Sequence, residues 1–208
     1  MTDFLLQTRE SYDAIASDYA EQHVGKVGEP FDRALLAAFR ELIPGGQVAE
    51  LGSGPGQVTS YLRDLGLDVF GIDLSPQMVE LARTAHPELR FEVGSMVALE
   101  LPDESLAGIV SWYALMHIPP AELSVVFAEF RRVLRPGGQI AIAAVAGDEL
   151  VHRTEAFGHE IALDYHLRDA ETLASAMNEA GLVAHTRVNR DPAKEENFPR
   201  AFLLATRS

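Results

Sequence analysis

Apolar and polar positions follow two distinct patterns along this chain. Continuous apolar runs, typical of strands buried on both faces, occupy residues 48–50, 68–73, 89–93, 107–112 and 139–145. Apolar side chains at helical spacing occupy residues 3–23, 31–42, 57–65, 119–134 and 170–180. Residues 183–188 and 201–206 alternate as two further strands. Strands that alternate with helices predict an α/β fold built on a largely parallel sheet.

The chain is organised around a glycine-rich turn between the first predicted strand and the helix that follows it. The sequence Glu50-Leu51-Gly52-Ser53-Gly54-Pro55-Gly56 places glycines at alternate positions, so the main chain can approach a ligand that a Cβ would meet. In an open α/β sheet, such a turn puts the ligand at the carboxyl end of the strand. The alternative interpretation is that the glycines only allow a tight turn between strand and helix and bind no ligand. Gln57 stands where a dinucleotide motif needs its third glycine, which disfavours a nicotinamide site.

A carboxylate ends the second predicted strand. Asp73 follows the glycines at a separation of about 20 residues, where an acidic side chain can accept hydrogen bonds from both ribose hydroxyls of an adenosine ligand. Ser75 and Pro76 predict the start of the next helix. Met78 would then lie in its first turn, near an adenine or simply in the core. Asp73 indicates an adenosine ligand without saying which one.

Together, these features resemble the class I S-adenosylmethionine-dependent methyltransferases over roughly residues 10–146. The resemblance also includes Tyr12-Asp13-x-x-Ala16-x-x-Tyr19, similar to an N-terminal lid, and Leu134-Arg135-Pro136-Gly137-Gly138, similar to a late motif of the family. It implies a Rossmann-like fold in one domain, residues 1–208, with helices on both faces of the sheet. The sheet would have seven strands, mostly parallel with the last one antiparallel.

The resemblance further implies S-adenosylmethionine as the cofactor. Glu50 would orient the glycine turn or bind the methionine ammonium, and Asp73 would hold the ribose. Many family members carry an aspartate where this chain has Ser95, so only the main-chain contact of Met96 to the adenine is expected to persist. The residues implied to bind the cofactor are Tyr12, Tyr19, Glu50, Gly52, Ser53, Gly54, Gly56, Asp73, Leu74, Met78, Gly94, Ser95, Met96, Ser111 and Trp112.

The resemblance also implies a helical lid, residues 1–43, with a hinge at 23–30, whose tyrosines close over the methionine end of the cofactor. An insert at residues 147–169 is implied to form part of the acceptor pocket. The residues implied to contact the acceptor are Tyr113, His117, Tyr165 and His166. His117 is the candidate general base, because an ordinary histidine pKa near 6.5 suits proton removal near neutrality. It could instead shape the pocket, while Tyr12 and Tyr19 steer the acceptor.

Three histidines of the insert recur every seven residues, at His152, His159 and His166. On a continuous helix they would share one face, although Gly158 weakens that prediction. Positions i and i+7 of a helix are about 10.5 Å apart, so these side chains could not share one metal ion. We therefore expect histidines at the rim of a pocket or in solvent, and nothing in the sequence demands a metal.

Composition narrows the possible partners and location. The 208 residues include 17 basic and 31 acidic side chains, a formal net charge of −14, and no cysteine. Such a charge disfavours nucleic acid and anionic membranes as partners, and the lack of cysteine excludes disulfides and thiolate chemistry. The first residues lack the basic and apolar segments of a signal peptide, so we expect a cytoplasmic protein.

The predicted function is methyl transfer from S-adenosylmethionine to an oxygen or nitrogen of a small-molecule acceptor. A nicotinamide-dependent oxidoreductase and a catalytically silent adenosylmethionine-binding regulator remain alternatives. A protein acceptor also stays open, and RNA is less favoured because of the charge. The motifs concern the cofactor, so the acceptor and the oligomeric state are not specified.

Overall fold

The computed structural model describes residues 2–23, 25, 27–194 and 196–208. Positions 24 and 26 of the predicted hinge therefore lie outside the described residues. The helices are α1 (Asp3–His23), α2 (Pro30–Glu41), α3 (Gln57–Asp64), α4 (Pro76–Ala85), α5 (Leu123–Val133) and α6 (Ala170–Glu179), with 3₁₀ turns at Leu115–His117 and Pro120–Glu122. The strands are β1 (Gln47–Leu51), β2 (Asp68–Asp73), β3 (Phe91–Val93), β4 (Leu106–Trp112), β5 (Leu134–Val145), β6 (Leu150–Ala156), β7 (His159–His166), β8 (Leu182–Arg190) and β9 (Arg200–Arg207).

Seven strands form one sheet in the order β3-β2-β1-β4-β5-β9-β8. Strands β1 to β5 pair in parallel, whereas β9 runs antiparallel to both of its neighbours, which confirms the predicted sheet. The chain moves outward from β1 to β3 and then returns to β4 on the other side of β1. This reversal of strand order opens a crevice at the carboxyl ends of β1 and β4, where open α/β sheets bind their ligands.

Helices cover both faces of the sheet with apolar side chains. As a result, β4 is buried along its whole length. On one face, Ile109 packs in a cluster with Phe127 and Phe130 of α5. On the other face, Val110 packs with Phe39 of α2 and further residues of α3. Successive residues of a strand point to opposite faces, so adjacent positions of β4 serve different layers of helices.

The predicted helical arrangement of the insert histidines is wrong. The insert forms the antiparallel hairpin of β6 and β7, whose turn consists of Phe157 and Gly158 with φ angles of 54° and 78°. Two consecutive positive φ angles are typical of the tight turn that matches strand twist. Across the hairpin, Nδ1 of His152 lies 2.6 Å from Oδ1 of Asp164. The seven-residue spacing of the histidines therefore does not create a shared face.

The fifth strand begins earlier than the residue 139 that the sequence predicts. β5 begins at Leu134, which pairs with Leu106, and regular pairing resumes only at Gln139 and Gly108. The residues between these two pairs form an irregularity in the strand instead of a separate turn before it.

No helix within the described ranges is both long enough and apolar enough to cross a membrane.

Candidate active site

A cavity lies at the carboxyl ends of β1, β2 and β4, and α1 covers it. The predicted site residues that line it are Tyr12, Tyr19, Gly52, Gly54, Asp73, Leu74, Met78, Gly94, Ser95, Met96, Trp112, Tyr113 and His117. These residues come from distant parts of the sequence, and the sheet reversal brings them together. The cavity therefore combines most of the residues implied for the cofactor with two implied for the acceptor.

The three glycines of the organising turn serve different purposes. All three have positive φ, from 51° at Gly54 to 89° at Gly56. A Cβ at Gly52 would lie 2.3 Å from the Cβ of Ala114, and one at Gly56 would lie 2.7 Å from the ring of Phe91. A Cβ at Gly54 would meet no atom of the described residues within 4 Å. Gly54 therefore leaves its Cβ position open toward the cavity, whereas Gly52, which also lines the cavity, and Gly56 allow close packing.

Asp73 joins the two loops that border the cavity. Its Oδ2 accepts a hydrogen bond from the Gly54 N–H at 2.7 Å, and its Oδ1 accepts one from the Ser75 N–H at 2.9 Å. Burial raises the pKa of Asp73, while these main-chain donors oppose that rise. Each carboxylate oxygen retains a lone pair, so the side chain can still accept hydrogen bonds from a ligand diol.

Four residues implied for the cofactor do not line the cavity: Glu50, Ser53, Gly56 and Ser111. Glu50 is buried and accepts a hydrogen bond from the hydroxyl of Thr59 in α3, which ties that helix to β1. Burial raises the pKa of Glu50 to about 8. Of the two roles expected for Glu50, this contact supports the orientation of the turn.

Ser111 lies behind the cavity wall. Its side chain is fully buried, and its hydroxyl has no hydrogen-bond partner among the residues that the structure describes. Trp112, the next residue, does line the cavity. Because successive strand residues point to opposite faces, Ser111 and Trp112 cannot both contact the same ligand through their side chains.

The middle of α1 is anchored on two sides, to α4 and to the hairpin. Asp13 of α1 accepts hydrogen bonds from the Ser75 hydroxyl at 2.5 Å and from the Gln77 N–H at 3.2 Å, at the start of α4. On the hairpin side, the Ser11 hydroxyl accepts a hydrogen bond from the Ala162 N–H at 3.0 Å. Ile15 also packs with apolar residues of β7 in a small separate cluster. The hairpin thus packs on α1, which covers the cavity.

His117 and Tyr12 meet at the aromatic end of the cavity. The hydroxyl of Tyr12 and Nε2 of His117 are 2.8 Å apart, and their ring centroids are 5.2 Å apart. Burial lowers the pKa of His117 from 6.5 to about 4, partly opposed by the main chain of Asp164. Burial also raises the pKa of Tyr12, and it raises that of Tyr19 to about 12. These side chains are therefore uncharged at neutral pH.

Similar proteins identify the family. Residues 48–138 match the family model of the methyltransferase domain. An uncharacterized methyltransferase of Mycobacterium tuberculosis (strain ATCC 25618 / H37Rv) is 31% identical over 185 residues, which cover 86% of this chain and 69% of the relative. The chain belongs to the class I S-adenosylmethionine-dependent methyltransferases. It is therefore a methyltransferase, and S-adenosylmethionine is its cofactor.

Solved structures support the fold of this methyltransferase. The 1,6-didemethyltoxoflavin-N1-methyltransferase of Burkholderia thailandensis, solved with 1,6-didemethyltoxoflavin and S-adenosylhomocysteine, has a TM-score of 0.78 at 19% identity and covers 99% of this chain and 89% of its own. An S-adenosylmethionine-dependent methyltransferase of Methanosarcina mazei has a TM-score of 0.71 at 18% identity, with 78% and 92% of the two chains covered. At these identities, both structures bear on the fold alone.

The cavity of this methyltransferase fits its cofactor. Asp73 can accept hydrogen bonds from a diol, and Gly54 leaves space where a Cβ would stand. The main chain around Gly94 and Met96 borders the same cavity, so it can contact an adenine edge. An adenosine with an amino-acid tail is therefore compatible with the residues that are present.

Two of the four residues expected at the acceptor lie outside the lining. Tyr165 packs behind His117, with ring centroids 5.2 Å apart, and His166 is partly exposed at the end of β7. Tyr113 lines the cavity with a φ of 56°, an uncommon conformation for a residue with a Cβ. Its hydroxyl donates a 2.7 Å hydrogen bond to the buried carboxylate of Asp32 in α2.

Sequence reasoning missed several residues of the lining. They are Phe4, Leu5, Thr8, Arg9, Leu51, Ile72, Ser75, Ala114 and Ile118. The first four lie on α1, and extending the helical stripe of Tyr12 toward the amino terminus, in steps of three or four residues, would have found them. Ala114 gave no signal in the sequence, because its importance comes from its contact with Gly52.

Proposed function

We propose that this methyltransferase acts on a nitrogen or oxygen of a small-molecule acceptor that binds between Trp112 and His117. The observation that carries the proposal is the cover: Tyr12 and Tyr19 of α1 line the same cavity as Asp73, so the crevice is roofed from its ribose end to its aromatic end. A roofed cavity favours a compact acceptor, because a polymer would need an open groove. The formal charge of −14 also disfavours a nucleic-acid acceptor.

The cofactor would bind along the carboxyl ends of β1, β2 and β3. Asp73 would accept the ribose hydroxyls, and the main chain at Gly52 and Gly54 would contact the methionine portion. The adenine would lie among the remaining residues of this end: Leu74, Met78, Gly94, Ser95 and Met96. When bound, S-adenosylmethionine supplies a methyl group already activated on a sulfonium. The chain therefore has mainly to orient the acceptor and exclude water.

The state of His117 limits the acceptors that the site can serve. With its pKa lowered to about 4, the imidazole is neutral at pH 7 and can accept a hydrogen bond. It is too weak a base to ionise an aliphatic hydroxyl to a useful extent. The site therefore suits an amine that attacks in its neutral form, or a hydroxyl that ionises readily. His117 would hold such a group in place by accepting a hydrogen bond from it.

The aromatic rings suit a reaction whose methyl donor is a sulfonium cation. Tyr12 and Tyr19 stay neutral and meet edge to face, with centroids 6.0 Å apart. Aromatic faces attract a positive charge such as a sulfonium or a methylated amine. We propose that residues 1–43 act as a lid and that residues 147–169 support the acceptor wall from behind, through the packing of Tyr165 on His117. The Burkholderia methyltransferase, solved with bound 1,6-didemethyltoxoflavin, is consistent with a small acceptor.

The proposal is tested by incubating the protein with methyl-labelled S-adenosylmethionine and a panel of amines, phenols and aliphatic alcohols. Formation of S-adenosylhomocysteine with an amine or a phenol, and none with the alcohols, would support it. His117→Asn is expected to lower kcat, and His185→Asn is a matched control because His185 is exposed on β8. Turnover with aliphatic alcohols alone would reject the proposed acceptor class.

A further inference from the structure

Arg168 is a buried arginine between β7 and α6. Only 6% of the residue is exposed, and within the described part of the chain its guanidinium donates only to main-chain carbonyls. Nη1 donates to the carbonyls of Leu115 and His166, both at 3.2 Å. Nη2 donates to the carbonyl of Ile118 at 2.5 Å.

This arrangement is costly for a residue that only fills space. Burial disfavours the charged guanidinium and lowers the pKa of Arg168 to about 10. A buried cation usually has a carboxylate partner, because neutral hydrogen bonds recover only part of the lost hydration. An apolar side chain of similar size would avoid this cost. The directional contacts of Arg168 therefore call for an explanation beyond packing.

The contacts of Arg168 converge on the segment that carries His117. Leu115 and Ile118 flank His117, which is the last residue of the 3₁₀ turn Leu115–His117. The third carbonyl belongs to His166 at the end of β7. Arg168 thus joins the turn to the hairpin that packs against the other side of the imidazole.

We propose that Arg168 is a positioning residue that acts through His117. By holding the turn at a fixed distance from β7, it keeps the imidazole seated against the hydroxyl of Tyr12. Arg168 does not line the cavity and would touch neither acceptor nor cofactor. The inference rests on the proposed function, in which His117 faces the acceptor.

The test is an NMR pH titration of the His117 ring in Arg168→Met and Arg168→Lys, with His117→Asn used to assign its signal among the seven histidines. The titratable groups around the ring are Tyr12 on α1 and Asp164, Tyr165 and His166 on β7, and the charge of Arg168 lies beyond the carbonyls that it binds. The wild-type ring should titrate near pH 4. In Arg168→Met the pKa should rise by about one unit or more, because a displaced ring regains water.

Arg168→Lys separates geometry from charge. Lysine keeps the positive charge but has one nitrogen where two Nη atoms now donate, so a smaller rise of the His117 pKa is expected. His166 serves as an internal reference, because burial and then the charge of Arg168 lower its pKa. The His166 pKa should rise in Arg168→Met and stay near the wild-type value in Arg168→Lys.

Arg40 offers a matched control. Its Nε and Nη1 donate to the carbonyls of Leu65 and Ile43, each at 3.1 Å, at the amino ends of β1 and β2. Arg40→Met should therefore remove a comparable main-chain clamp far from His117 and leave the His117 pKa near 4.

An unchanged His117 pKa in folded Arg168 variants would overturn the proposal, and Arg168→Lys decides alone if Arg168→Met does not fold. Calorimetry with S-adenosylhomocysteine is run on the same samples. Failure of the wild-type protein to bind it would reject the proposed cofactor site. The titration is read without cofactor or acceptor, so failure of the positioning role is distinguishable from that outcome.

Discussion

Replacing Glu50 by glutamine should change the pH dependence of stability by an amount that the structure allows us to calculate. The side chain is 2% exposed and accepts a hydrogen bond from the Thr59 hydroxyl. Burial is the largest cause of the rise in its pKa from 4.5 to about 8, and the hydrogen bond from Thr59 opposes that rise. Glutamine has the same shape, can accept the same hydrogen bond and does not titrate.

The magnitude follows from proton linkage. Between pH 4.5 and 8 the folded chain retains the proton on Glu50, whereas the unfolded chain has lost it. The stability contributed by this group is therefore complete below pH 4.5, decreases as pH rises, and is lost above the folded value. The slope is about 1.4 kcal/mol per pH unit and flattens near the folded pKa, so the loss from pH 5.5 to 7.5 is roughly 2 to 3 kcal/mol.

The assay is urea denaturation of wild type and Glu50→Gln at both pH values. Relative to wild type, the variant should gain roughly 2 to 3 kcal/mol of unfolding free energy between pH 5.5 and 7.5. Taking the difference cancels other titrating groups, such as His117, whose lowered pKa has the opposite effect below pH 6.5. Glu41→Gln, at an exposed position, is the control and should show no such change.

A constant difference between the Glu50 variant and wild type would refute the reasoning about the buried proton. The same variant distinguishes the two roles expected for Glu50. If the side chain anchors α3 through Thr59, affinity for S-adenosylhomocysteine should change by less than about threefold, or less than about 0.7 kcal/mol. A loss of about 100-fold would place the carboxylate at the methionine ammonium instead.

Two further changes test the cavity walls. Gly52→Ala should lower stability by about 2 kcal/mol or more and weaken S-adenosylhomocysteine binding in calorimetry, because its Cβ meets Ala114 at 2.3 Å. Gly137→Ala, with a similar φ of 77° and open space, should lower stability by only about 1 kcal/mol and leave binding unchanged; equal effects at both positions would contradict this. Asp13→Asn should weaken the contact with Ser75, lower stability by about 1 kcal/mol and speed hydrogen exchange in α1. Unaltered exchange there would argue against Asp13 as an anchor of the cover.

The sheet could be predicted because its signals are local. β4 is a continuous apolar run, and a parallel strand covered on both faces requires such a run. The hairpin could not be predicted from the histidine spacing, because its determinants are distant contacts. For example, Nε2 of His159 lies 3.0 Å from Oδ2 of Asp18 in α1, which is 141 positions away in the sequence. Residues of β7 pack on α1, and that packing favours strands over a helix.

A larger share of the residues predicted for the cofactor than of those predicted for the acceptor lines the cavity. Gly54 and Asp73 carry motifs that follow from backbone geometry and from the hydrogen bonding of a ribose. The properties of His117 depend on burial by Tyr12, which is 105 positions away, so its ordinary pKa was the wrong starting point. The contacts of Arg168 could not be predicted from a motif, because its partners are main-chain carbonyls, which every residue possesses.

The most direct test of the cofactor crevice is calorimetric titration of S-adenosylhomocysteine into wild type, Asp73→Asn and Asp68→Asn. Asp68 is exposed at the opposite end of the same strand, so it controls for the loss of charge. We predict wild-type affinity for Asp68→Asn and a loss of about 10- to 100-fold for Asp73→Asn, as expected for weakened charge-assisted hydrogen bonds to the ribose. Equal affinity in all three proteins would contradict the assignment of this crevice.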